Sequence, residues 1–445
     1  MKLHVISFGC QMSVADGEEM ARPLLARGFR PTARLDEADA VIVNTCTVRQ
    51  QAEDRAVSQL GRLKSWKAER RERILIVAGC AAERLGGWIR ERFPHVDLVV
   101  GARSIEQYPE ILEEALRERF DWGRDNDGAW EAAFPEPSPA GAFVTVMRGC
   151  NYACTYCIVP AVRGPELYRP FDTVLTEVRR RVAGGAREVT LLGQTVNSWR
   201  DAAGRDFADL LRAVDRVPGL ARLRFMSPHP YYLTERMMRA LAECPTAAPH
   251  LHLPAQSGSD PLLKAMRRNY TAAGYLEKAA ALRSLIPGLA LSTDFIAGFP
   301  GETEADFRRT LEFIADGDFC AAYCFRFSPR KGTPAADLAD QVPEPVKEER
   351  LARLLALTEA GTRRHLDAMA GKRVTVLLET ATDGRTQFHF RVRLDAPGRP
   401  GDLVEAVVTG RTDTALKGGA VGGRAESCSR PAMDTPSRSV ISSSA

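Results

Sequence analysis

The sequence predicts an α/β chain in three folded parts: an N-terminal parallel α/β sheet domain, a central partial barrel of six βα units, and a small C-terminal all-β barrel of the oligonucleotide-binding type. Short apolar runs alternate with helical stretches over residues 1–120, the pattern of a parallel sheet with crossover helices. The alternation resumes at residue 142 and runs to residue 370. From 371 to 424 the runs turn short and β-like, separated by Gly and Asp turns without a helix. Residues 121–141 are rich in Gly, Pro and acidic side chains and read as a linker, and 425–445 read as a disordered tail.

At 445 residues the chain has room for two or three domains with a core each. No apolar run approaches the ~18 residues of a membrane span, and the N-terminus enters a strand without a signal-peptide pattern, so a cytoplasmic location is expected. Ten cysteines without a secretory signal point to metal or redox chemistry in a reducing compartment more than to disulfides. A net charge of +4 is weak support for a polyanionic partner.

In the first part the apolar runs 3–7, 40–44 and 74–78 lead into Cys10, Cys46 and Cys80. Each cysteine sits just past the carboxyl end of a predicted strand, the edge of an open parallel sheet where ligands gather. Any one of them alone reads better as a small core hydrophobe; three in equivalent places favour a shared metal ligand set.

The second part offers strands at 143–147, 188–192, 223–226, 250–253, 289–295 and 321–327, with helices at 206–217, 303–316 and 345–370. Directly after the first strand come Cys150, Cys154 and Cys157, at C-x₃-C-x₂-C spacing. Three thiolates on one short loop can ligate three irons of a cubane cluster and leave the fourth iron open to a substrate. A zinc knuckle would want a fourth Cys or His nearby, and the next His is His229. Other polar motifs accompany the later strands. Gln194, Gln256 and Ser257 can hydrogen-bond a ribose or a base, or cap their own loops. His229, His250 and His252 read as packing or hydrogen-bonded residues. Cys244, Cys320 and Cys324 read as core, and Cys428 falls in the tail.

The run GCNYACTYCIVPAVRG (149–164) closely resembles the signature loop of radical S-adenosylmethionine enzymes, more narrowly that of the methylthiotransferases. GCQMSVADGEEM (9–20), NTCTVRQQAEDR (44–55) and GCAAER (79–84) resemble that family's three N-terminal cysteine motifs. Ser13, Gly17, Ala81 and Glu83 depart from the usual Asn, Ser, Met and Gln, and none of these removes a ligand. The resemblance implies two 4Fe–4S clusters, one on Cys150, Cys154 and Cys157, the other on Cys10, Cys46 and Cys80. It also implies S-adenosylmethionine on the open iron, with Gly184 and Gly185 as the glycine pair for its amino group. Tyr156, Gln256, Ser257 and Asp294 fall in segments that contact the cofactor, and the C-terminal part resembles the RNA-binding TRAM domain. No catalytic side chain is assigned beyond the clusters. The motifs GCQM, NTCTVR and LLGQTVNSW resemble the branch that modifies isopentenylated adenosine in tRNA. That branch places a methylthio group at C2 of N(6)-dimethylallyladenosine next to the anticodon. Branches acting on threonylcarbamoyl-adenosine or on ribosomal protein uS12 are the alternatives. The implied partners are the tRNA anticodon loop, an electron donor such as flavodoxin or ferredoxin, and a sulfur donor. A non-catalytic iron–sulfur protein that binds RNA or carries electrons is the reading from another class. It sits poorly with the open-iron triad, since an electron carrier prefers four protein ligands per cluster. After Gly164 the family's usual Arg-Glu-Arg-Ser-Arg is replaced by Pro165-Glu166-Leu167-Tyr168-Arg169, removing two basic side chains near the expected mouth of the site.

Overall fold

The computed structural model describes residues 1–117 and 140–424. The expected linker (save Ala140 and Gly141), the expected tail and Cys428 lie outside the described residues.

The N-terminal sheet holds β1 (Lys2–Ser7), β2 (Arg30–Pro31), β3 (Ala40–Thr45), β4 (Ile74–Gly79) and β5 (Leu98–Gly101), all parallel, in the order β2-β1-β3-β4-β5. β3 and β4 are buried along their whole length, which is why their sequences are apolar on both faces. Alternate residues serve opposite faces. Ile42 and Ile76 pack with Met20 and Leu24 of α1 (Gln11–Ala26) and with Leu112 of a later helix (Tyr108–Leu116). Val43 and Val77 pack with Leu60 and Leu63 of α2 (Gln50–Glu69) and with Ile89 of α3 (Cys80–Arg92).

The central part contains all six expected strands: β6 (Ala142–Thr145), then, past the short antiparallel pair β7 (Met147–Arg148) and β8 (Leu167–Tyr168), β9 (Glu188–Leu192), β10 (Arg222–Phe225), β11 (His250–His252), β12 (Ala290–Ala297) and β13 (Ala321–Arg326). They form two parallel ladders, β6-β9-β10 and β11-β12-β13, linked by a parallel bridge between Leu223 and Ala247. The result is an open barrel wrapped by helices. Two of those helices start at capping boxes, Asp206 with Asp209 and Thr303 with Asp306, which satisfy backbone donors at their first turns.

The C-terminal part is a closed barrel of five strands, β14 (Arg373–Leu378), β15 (Asp383–Thr386), β16 (Arg391–Leu394), β17 (Leu403–Arg411) and β18 (Leu416–Arg424), in the order β14-β15-β16-β18-β17. In β18 the glycines read as a loop in sequence, yet they lie in a strand. A side chain at Gly418 would crowd Leu394 at 3.2 Å, so glycine lets this strand close against β16.

This small barrel plugs the amino-terminal mouth of the larger one. Arg222, at the start of β10, is fully buried and donates to the carbonyls of Thr375 (3.1 Å) and Arg385 (3.3 Å). Arg224 donates to those of Thr386 and Gln387, each at 3.2 Å. Glu188 pairs with both arginines, and the ring of His389 stacks on His250 at 4.9 Å.

Candidate active site

At the opposite, carboxyl-terminal edge the N-terminal sheet and the open barrel meet. Four buried arginines fasten them: Arg148 to Asp16 (3.2 Å) and Glu19 (2.7 Å), Arg163 to Asp16 (2.6 Å), Arg22 to Glu177 (2.8 Å) and Arg181 to Glu18 (2.9 Å). Asp16 has no exposed surface and is shared by the arginines that flank the cysteine loop, one before Cys150 and one after Cys157. Desolvation of the half-buried Glu19 would raise its carboxyl, yet the Arg148 guanidinium holds it below the usual range. α1, which begins directly after Cys10, is thereby clamped to that loop. Across the mouth, Arg330 donates to Gln50 (2.5 Å) and to the carbonyl of Val48 (3.1 Å), tying the end of β13 to the segment after Cys46.

The three strand ends bring Cys10, Cys46 and Cys80 together. Gly9, at φ 111°, has no room for a Cβ because Cys46 Sγ would lie 2.7 Å away, so the Cys10 loop closes directly onto Cys46. Cys46 is fixed from both sides. Asn44 donates to the Ser13 carbonyl (2.5 Å) in the first loop; Thr45 donates to the Ala78 carbonyl (2.6 Å) and accepts the Ala82 N–H (3.1 Å) in the third. A hydrogen bond from Cys46 draws the Cys10 thiol down to about 5, against burial and with help from Arg163. The same bond, with burial, pushes Cys46 up. Arg163 Nε donates to Cys80 Sγ at 3.2 Å, while burial pushes that thiol up.

In the second triad the Cys150 sulfur meets the Thr195 hydroxyl at 3.2 Å and accepts the Tyr152 N–H at 3.4 Å; burial is the larger influence and raises its pKa. Burial pushes the Cys157 thiol up to about 12. Arg268 Nη1 lies 3.8 Å from Cys154 Sγ. The two triads are neighbours, since Cys80 packs against Ile158, the residue after Cys157.

Among the described residues no three His, Cys, Asp or Glu side chains converge on one ion point. The cysteines fall in two sets of three, Cys10 with Cys46 and Cys80 at neighbouring strand ends, and Cys150 with Cys154 and Cys157 on one loop, and thiolates are the ligands an iron–sulfur cluster takes. The Arg163 guanidinium, buried beside Cys80 and Cys10, suits an anionic iron–sulfur group, and the residues present fit two clusters.

The remaining predicted site residues divide. Tyr156 packs against the buried cluster of Leu262, Met266, Phe299 and Phe327, and burial pushes its phenol up. Asp294 lies within the barrel, 3.4 Å from His252 Nε2. Gln256 follows β11 with φ 70°, an uncommon backbone for a residue with a side chain, as does Ser227 after β10 with φ 59°. Gln194 sits at the end of β9, its amide oxygen buried without a partner. Gly184 and Gly185 do not join this edge. They close the helix Phe171–Ala183 and precede β9, at the amino ends of the strands, so they cannot serve a cofactor on the cysteine loop. Ser257 is buried, its hydroxyl 3.2 Å from that of Thr310 on the helix Glu304–Gly317 and accepting the Ser259 N–H at 3.1 Å, so it ties its loop to that helix. Cys244 and Cys320 are buried, as expected, whereas Cys324 is only partly so and lies 3.9 Å from Thr358. The sequence reading missed Arg163, Thr195 and Arg268. Arg163 and Thr195 lie inside quoted motifs, but nothing in spacing alone marks them.

Residues 2–101 match the family described as "Uncharacterized protein family UPF0004", and residues 144–314 match the "Radical SAM superfamily". The chain is 43% identical over 447 residues to the tRNA-2-methylthio-N(6)-dimethylallyladenosine synthase of Sorangium cellulosum (strain So ce56), covering 91% of this chain and 89% of that protein. It is 39% identical over 442 residues to the synthase of the same name from Xanthomonas euvesicatoria pv. vesicatoria (strain 85-10), covering 94% and 91%. Among solved structures it resembles in fold the radical S-adenosylmethionine methyltransferase TsrM from Kitasatospora setae, with TM-score 0.55 and 15% identity, over 75% of this chain and 76% of that one.

Proposed function

The chain belongs to the tRNA-2-methylthio-N(6)-dimethylallyladenosine synthase family of radical S-adenosylmethionine enzymes, and we propose that it adds a methylthio group at C2 of N(6)-dimethylallyladenosine beside the anticodon of tRNA. The observation that carries this reading is the meeting of two cysteine triads from different sheets, joined where Cys80 packs against Ile158. Bound 4Fe–4S clusters, with Cys150, Cys154 and Cys157 holding the one that takes S-adenosylmethionine and Cys10, Cys46 and Cys80 holding the other, supply the radical and sulfur chemistry.

The chain's own residues hold that chemistry in place. Thr195 and the Tyr152 N–H engage the Cys150 sulfur, and hydrogen bonds to ligating sulfurs tune a cluster's potential. Arg163 offsets anionic charge at the N-terminal triad while Asp16 fixes its direction. Gln194 and Gln256, at the strand ends, bind the cofactor or the base in this reading, which the unpartnered amide oxygen of Gln194 supports. Anticodon-loop bases are already single-stranded, so presenting one to this site costs less than extracting it from a duplex. Turnover requires a one-electron donor of the flavodoxin or ferredoxin type and a source of sulfur, and the cytoplasm supplies these together with tRNA. No helix among the described residues is long and apolar enough to cross a membrane.

The test is mass spectrometry of tRNA nucleosides after anaerobic incubation with S-adenosylmethionine and dithionite. The expected product is the methylthio derivative of the prenylated adenosine. Burial of the prenyl tail at about 0.8 kcal/mol per CH₂ should make unprenylated tRNA react at least ~10-fold more slowly. Equal rates, or product only on threonylcarbamoyl-adenosine, would move the chain to another branch.

A further inference from the structure

Beside the cysteine loop lies a cleft of about 810 Å³ that the proposed chemistry does not use. Its walls come from Asn151, Tyr152 and Ala153 of the loop, from Tyr231 and Tyr232 after β10, and from the segment 260–271 after β11; no residue of the N-terminal sheet lines it.

Tyr152 stacks on His229 with ring centroids 4.2 Å apart and planes 18° from parallel, and its edge meets Tyr232 at 5.9 Å. Tyr231 stands edge-to-face with Tyr232 at 5.2 Å and is 52% exposed, a large open ring on an otherwise ordered wall. The wall is held from behind. His229 Nδ1 accepts the Tyr231 N–H at 3.2 Å, and Lys278 donates to the Pro230 carbonyl at 2.7 Å. On the facing side Lys264 and Arg267 are exposed, and neither has a carboxylate partner among the described residues. Arg267 has φ 57°, a conformation uncommon for a residue with a side chain. One acid, Asp260, shares the rim, and its carboxylate is occupied by the Ala272 N–H at 2.7 Å.

We propose that this cleft binds the unpaired nucleotides flanking the target base, with bases stacked on Tyr231 and Tyr232 and phosphates on Arg267 and Lys264. The inference rests on the tRNA reading and specifies where that RNA is gripped. Sites for single-stranded nucleic acid combine a positive groove with aromatic side chains on which successive bases stack, the combination present here. The cleft is concave and of ligand-pocket size, unlike a flat protein-docking face. It opens at the loop of Cys150, Cys154 and Cys157, so a strand lying in it brings its next base to that loop. It also offers cations close to the mouth, where the chain lacks two arginines after Gly164.

The experiment uses the full chain with both clusters reconstituted, a prenylated anticodon stem-loop RNA, and the variants Tyr231→Ala, Tyr231→Phe and Arg267→Ala. Tyr231→Ala is expected to weaken RNA binding and raise KM about tenfold or more, because stacking on one ring is worth roughly that factor. Tyr231→Phe keeps the ring and should bind nearly as the parent does. Arg267→Ala should reduce the slope of log affinity against log salt by about 1. Iron content should match the parent in each variant. Unchanged RNA affinity in Tyr231→Ala and Arg267→Ala overturns the proposal. So does a loss seen only when an acidic electron-carrier protein replaces dithionite, which would make the cleft a protein-docking site. Failure of the parent to bind any stem-loop overturns the tRNA reading as well. Modification of tRNA by variants that bind it normally overturns the cleft alone.

Discussion

Arg163 connects the two halves of the site with one side chain. Its Nε reaches Cys80 and its Nη2 reaches Asp16, which lies entirely out of solvent. Removing one partner of a buried pair leaves the other charge uncompensated. Arg163→Met is therefore expected to destabilise the protein by about 3 kcal/mol, measured by anaerobic chemical denaturation, and to lower iron at the N-terminal triad. Unchanged stability and full iron would show that Arg148 alone satisfies Asp16. Gly17 illustrates the same dependence on neighbours. The family usually carries Ser there, but in this chain a Cβ would approach Ser7 Oγ to 2.8 Å and Val5 Cγ1 to 3.1 Å, so a side chain at that point would require Ser7 and Val5 to shift. Neither relationship is visible in spacing, because Arg163 and Cys80, like Gly17 and Ser7, meet only once the elements pack.

At the scale of elements, strands were the most legible feature. Continuous apolar runs such as Ile74–Gly79 leave little choice but a buried parallel strand, and their carboxyl ends located Cys10, Cys46 and Cys80. The failures have physical reasons as well. β18 is written in glycines, and Gly184-Gly185 is a helix terminus whose side of the barrel follows from strand direction. The docking of the C-terminal barrel was also unreadable, since it depends on arginines in β10 meeting carbonyls about 160 residues later. Deleting residues 371–424 would strip Arg222 and Arg224 of four carbonyl acceptors. Each buried donor left unsatisfied costs about 1–3 kcal/mol. The truncated chain should melt about 10 °C lower or fail to stay soluble. A truncation as stable as the full chain would contradict the plug.

Two buried histidines, His389 in the plug and His229 beside the cysteine loop, predict a pH response. Burial, then Arg224, Arg385 and Arg222, lower His389 to about 2, and burial, then Arg268 and Lys278, lower His229 to about 2, against an ordinary value of 6.5. Both rings are neutral when folded and take up a proton only on unfolding. Stability is therefore full above pH ~6.5 and falls as pH drops toward 2, by about 1.4 kcal/mol per pH unit for each ring. Melting curves between pH 7.5 and 5 should show this slope, and His389→Gln should flatten it. An identical slope in that variant would remove His389 from the account.

At the scale of the whole molecule, two sheets each bring a cysteine triad to the edge where the N-terminal sheet and the open barrel meet, and under the proposed function the triads do different work. Anaerobic reconstitution should give about eight irons per chain, and replacing Cys150, Cys154 and Cys157 together with Ala should remove about half. The most direct test is Cys46→Ala, assayed with S-adenosylmethionine, dithionite and prenylated tRNA while both products are followed by mass spectrometry. The account predicts that 5′-deoxyadenosine still forms and that methylthiolated tRNA does not. Methylthiolated tRNA at the parent's rate, or loss of 5′-deoxyadenosine with the second triad's iron intact, would contradict it.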